Sequence, residues 1–85
     1  MPTDRETLSR FIGEKSPYPP GIKSLIKWQF SLHGDFYTAL WDAIKLADEH
    51  NLTRIHKGFP DEVEAFLEWS RGGLGQRLRE DGLDL

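Results

Sequence analysis

The chain has 85 residues, 38% of them hydrophobic and 29% charged, with a formal net charge of −3. That is the length of one domain, too short to hold both a full core and a deep substrate cavity. It contains no cysteine, which excludes disulfides, thiolate metal sites and a thiol nucleophile, and no apolar run approaches the roughly 20 residues that span a bilayer.

The first element in chain order is a short helix. Thr3-Asp4-Arg5-Glu6 has capping-box form, and Leu8, Phe11 and Ile12 follow at i, i+3 and i+4. Gly13 is its expected stop. Ser16-Pro17-Tyr18-Pro19-Pro20-Gly21 is then a stiff connector, because each proline fixes its own φ and pushes the preceding residue out of the helical region. Pro20 can open the next helix at its first turn.

A second helix is expected over residues 22–32. Its apolar arc of Ile22, Leu25, Ile26, Trp28, Phe30 and Leu32 is wide enough to be buried on more than one side. Gly34 is placed for a left-handed cap and Asp35 for the N-cap of a third helix. Tyr37, Leu40, Trp41, Ile44 and Ala47 make the clearest stripe in the chain, with Phe36 beside it. Asn51 then offers either a fresh cap or a break. Residues 35–57 form two helices or one bent helix, with Leu52 and Ile55 facing inward and a stop at Gly58.

Pro60 at a first helical position, followed by Asp61 and Glu62, starts the last clear helix. Val63, Phe66 and Leu67 face in, and Gly72-Gly73 ends it. Residues 74–85 are either a short docked helix around Leu74 and Leu78 or a flexible tail. The expected fold is all-α, a compact bundle of four to five short helices, with residues 1–73 as a single helical domain. Its core is expected from Leu8, Phe11, Ile22, Leu25, Ile26, Phe30, Phe36, Leu40, Trp41, Ile44, Leu52, Ile55, Val63, Phe66 and Leu67.

Charge is unevenly spread along the chain. Residues 1–34 hold five basic and three acidic side chains, whereas residues 35–70 hold three basic and eight acidic ones. An acidic middle argues against direct binding to nucleic acid and for a basic protein surface as partner. Asp61, Glu64 and Glu68 lie at i, i+3 and i+7 on one side of their helix, and Asp42, Asp48 and Glu49 extend the field if the third helix lies alongside. These six residues are the candidate partner-binding set. The alternative is a solvated helix face that serves solubility alone.

Catalytic chemistry finds little support. His50 and His56 are six apart, on different helix faces, and His33 precedes a break, so no zinc spacing is present. Ser31, His33 and Asp35 have the residue types of a hydrolytic triad at a spacing that cannot form one. Gly72-Gly73-Leu74-Gly75 lacks the Lys-Ser/Thr of a phosphate loop and follows a helix rather than a strand. No enzyme activity, metal or cofactor is expected.

The stretch Gly34-Asp35-Phe36-Tyr37-Thr38-Ala39-Leu40-Trp41-Asp42-Ala43-Ile44, with Ala47-Asp48, Asn51-Leu52 and Gly58-Phe59-Pro60-Asp61-Glu62-Val63-Glu64-Ala65, resembles small uncharacterised helical proteins of bacterial phages and mobile elements. In size, helicity and acidity the chain is also similar to anti-CRISPR inhibitors, a likeness of type rather than of motif. The resemblance implies a protein that binds and inhibits a host protein or nucleoprotein complex of a bacterial cell. From its composition and charge the chain is expected to be a cytoplasmic monomer with no direct contact to nucleic acid or membrane. The alternative function is an assembly module using exposed aromatics such as Tyr18, Trp28 or Trp69, without inhibition.

Overall fold

The computed structural model describes residues 5–83, and the Thr3 cap lies outside them. The described residues are all-helical. They form α1 (Arg5–Ile12), α2 (Pro20–Gln29), α3 (Asp35–Leu46), α4 (Glu49–Gly58), α5 (Pro60–Arg71) and α6 (Leu74–Glu80), six helices where four to five were expected. The extra elements come from a full break at Ala47-Asp48 and from a C-terminal segment that is helical in its own right.

Local chemistry explains most boundaries, though not always through the expected residue. Pro20 and Pro60 each open a helix, where a missing N–H costs nothing. The α2 terminus is a Schellman motif: the Ser31 N–H donates to the Trp28 carbonyl (3.1 Å) and the Leu32 N–H to that of Lys27 (2.8 Å). The left-handed position is Ser31, at φ 57°, not Gly34. Gly34 is extended (φ −73°, ψ −177°) and serves as N-cap of α3, so Asp35 stands one place inside the helix, where its charge favours the N-terminal dipole. Asp48, not Asn51, caps α4. Its Oδ1 accepts from the Asn51 N–H at 2.8 Å, which makes residues 35–57 two helices rather than one bent one.

Packing centres on α2 and α5. Helix α2 touches α1, α3 and α5, while α5 touches α2, α3, α4 and α6. At Gly21 the α2 backbone lies directly against that of Asp61 on α5. The core joins Phe11, Leu25, Ile26, Trp41, Ile44, Leu52, Val63 and Ala65 with Leu74, Leu78 and Leu83. Leu74 and Leu78 seat α6 on the bundle. Gly82, at φ 109°, turns the chain so that Leu83 also reaches the core. Most of the other expected core residues pack around this centre, but Phe36 does not: it is 62% exposed.

Tyr18 ties the proline connector to the C-terminal end. Its ring stacks on Phe11 with centroids 5.5 Å apart, and its hydroxyl donates to the Asp81 carboxylate. Burial first, then the Asp81 hydrogen bond and charge, push the phenol up to about 12 from 10.0. The folded state therefore holds the proton more tightly than the unfolded chain does. This stabilisation is complete below pH 10.0 and is lost as pH rises towards about 12. Urea midpoints measured across that interval should fall more steeply for the wild type than for Tyr18→Phe; parallel slopes would show that Tyr18 does not carry the linkage.

Candidate partner-binding surfaces

The helical periodicity of α5 places Asp61, Glu64 and Glu68 along one shallow groove, facing Pro19, Pro20, Gly21 and Ile22. Neighbouring side chains already answer two of these carboxylates. Glu64 lies 3.6 Å from His56 Nε2, and Glu68 accepts from Arg77 Nη2 at 3.1 Å. Arg77 also donates through Nη1 to the Gly72 carbonyl, bracing the end of α5. All of these groups are solvent-exposed, so each pair contributes little to stability.

The other three candidate acids lie elsewhere. Asp42 on α3 accepts from Trp28 Nε1 at 3.3 Å. Asp48 is committed to capping α4. Glu49 pairs with Arg71 and borders a separate groove between α4 and α5, with Leu52, Thr53, His56, Val63 and Leu67. The structure thus brings three of the six together and separates the rest, each with a structural job of its own.

A second surface is apolar. At 100° per residue, Phe36, Ala39, Ala43 and Leu46 fall on one side of α3, spaced three, four and three apart, and all four are exposed. Leu46 is 82% exposed and Phe36 62%. The Phe36 ring meets Tyr37 edge-on at 5.2 Å and Phe59 at 6.0 Å. Leu32 and Tyr37 add further exposed apolar surface. Tyr18, Trp28 and Trp69, the aromatics first considered for such a surface, are half-buried against the core. A second period was present in the sequence of α3; the inward stripe of Trp41 and Ile44 hid it.

The polar groups between α2 and α3 have structural partners. Trp41 Nε1 donates to Ser24 Oγ (2.9 Å), and His33 Nε2 lies 2.8 Å from the Ser24 carbonyl oxygen and 3.2 Å from its Oγ. The His33 ring stacks on Tyr37 at 5.3 Å. His33 is thus turned towards Ser24, while Ser31 occupies the helix cap and Asp35 the first turn of α3. His50 is exposed, and His56 faces Glu64. Among the described residues no His, Cys, Asp and Glu side chains converge as a set of metal ligands, and no helix is long and apolar enough to cross a membrane.

No family model, curated protein or solved structure matches this chain.

Proposed function

We propose that this chain is a non-catalytic protein-binding module that engages a partner through the outer face of α3. The observation that carries this reading is the exposure of Phe36 and Leu46 on one helix face, with two alanines between them. Apolar surface in water is unfavourable, and covering what is still exposed of each large side chain contributes at most about 1.5–3 kcal/mol. Contiguous exposed apolar surface on a small chain marks a contact site, and a helix face of this kind suits another protein's apolar face. The partner class is therefore a protein that closes its own apolar side chains over α3.

A second reading is supported by Asp61, Glu64 and Glu68 sharing one groove. In it, the protein is a phage or mobile-element inhibitor in a bacterial cytoplasm. It binds the basic surface of a host nucleoprotein complex, of the kind anti-CRISPR proteins block, by substituting carboxylates for phosphates. The resemblance of residues 34–65 motivates this reading. Salt weakens it by screening, whereas an apolar interface tolerates salt.

Two variants separate the readings in pull-downs at low and high salt, from bacterial lysate and from the purified untagged chain. Leu46→Lys should lose the partner, while the triple reversal Asp61→Lys, Glu64→Lys, Glu68→Lys should keep it, both remaining fully helical by circular dichroism. Loss by the triple reversal alone would move the function to α5. Retention by both variants would remove both surfaces from consideration.

A further inference from the structure

We infer that the partner of the α3 face is a second copy of this chain, with two α3 helices packed antiparallel about a two-fold axis at the level of residue 41. The inference rests on the reading of that face as a binding surface, and it replaces the monomer expected from the sequence.

The argument is the symmetry of the pattern. An isologous contact requires that if residue i meets residue j, then j meets i. About an axis at position 41, Phe36 meets Leu46 of the second copy and Ala39 meets its Ala43, and the same holds in reverse. The order large, small, small, large reads the same in both directions along α3, so an antiparallel copy matches it layer by layer, a symmetry that a foreign partner would not require. The three-four-three spacing is that of a heptad seam. The two alanines allow close approach at the axis, while the bulky ends pack beyond it. Beside Leu46 runs a shallow groove between α3 and α4, lined by Ala43, Leu46, Ala47, Asn51, Arg54 and Ile55. In this register Phe36 of the second copy stands at the level of Leu46, beside this groove. Antiparallel helix dipoles also oppose favourably.

The flanks set the strength and the salt response. Leu40 and Ala47 border the seam on one side, Asp35 and Asp42 on the other. An antiparallel pair brings the two copies' Asp42 side chains to the same flank near the axis, and each copy carries a net charge of −3. This repulsion weakens the dimer at low salt, and screening relieves it. A 12-residue helix is about 18 Å long. A contact of that length buries less than the roughly 800 Å² per partner of a standard interface, so the dimer is weak and depends on protein concentration. The salt response is opposite in sign to that of an acidic face on a basic partner.

Sedimentation velocity of the full chain tests this from micromolar to millimolar protein at low and high salt. The weight-average mass should rise from 9.8 kDa towards twice that value, and rise further in high salt. Leu46→Lys and Ala39→Glu should remain at the monomer mass throughout, and Asp42→Asn should tighten the low-salt dimer several-fold. A wild type that stays monomeric at every concentration overturns the inference, as does a Leu46→Lys variant that dimerises equally well. Binding of the dye 1-anilinonaphthalene-8-sulfonate is read in parallel. A monomeric wild type whose dye binding is lost in Leu46→Lys overturns the dimer while leaving α3 as a sticky face for another protein. A monomer without such binding overturns both.

Discussion

Trp41→Ala is expected to be strongly destabilising. The side chain is fully buried and is the largest such group in the core. It stacks on Trp28 with centroids 5.5 Å apart and 12° between the planes, and its Nε1 donates to Ser24 Oγ at 2.9 Å. Truncating a buried tryptophan costs about 3–5 kcal/mol, because lost burial and the remaining cavity add. The Ser24 hydroxyl also loses the donor that couples it to the junction held by His33. A chain of this length has about 4–13 kcal/mol in total, so the substitution removes about a quarter of it at the least. The melting temperature should fall by at least about 12 °C. Trp41→Phe keeps most of the ring but no N–H, and should cost roughly 1–2 kcal/mol. Urea titrations followed by circular dichroism measure both. A loss below about 1 kcal/mol for the alanine variant would mean that Trp41 is not the centre of the core.

Gly21→Ala should be destabilising although it raises helix propensity. On an isolated helix the change gains up to about 1 kcal/mol. Here the new Cβ would stand 2.7 Å from the carbonyl carbon of Asp61 and closer still to its oxygen. Both groups are backbone, on different helices, so no rotamer change relieves the clash. Helices α2 and α5 must separate, and that junction is the most extensive in the bundle. Overpacking of this kind costs about 1–3 kcal/mol, which outweighs the propensity gain, and Gly21→Val should cost more. Gly58→Ala is the matched control: a Cβ at the last residue of α4 meets nothing within 4 Å. Thermal melts should show Gly21→Ala well below the wild type and Gly58→Ala level with it or above. Equal melting temperatures for the two variants would show that the α2–α5 contact has more room than its geometry allows.

The candidate surfaces were legible to different degrees. Asp61, Glu64 and Glu68 share a face because helix periodicity puts them there, whatever the bundle does around them. Whether Asp42, Asp48 and Glu49 join that face depends on neighbours that periodicity does not specify. One went to Trp28, one to a helix cap and one to Arg71. Phe36 was misplaced for the same reason: its spacing shows that it is apolar, not which side of α3 another helix covers.

Proline and glycine positions, together with the 3.6-residue period, were enough to make this an all-helical chain with breaks near residues 13, 34, 58 and 72, since those are properties of a few neighbouring backbones. Which residue takes each cap depends on where the neighbouring helices begin: Ser31, not Gly34, has the left-handed backbone, and Asp48, not Asn51, caps α4. Only the tertiary structure decided which flank of α3 is inside. That helix carries apolar side chains around more than half its circumference. Helices α2 and α5 cover Trp41 and Ile44, leaving Phe36, Ala39, Ala43 and Leu46 in water.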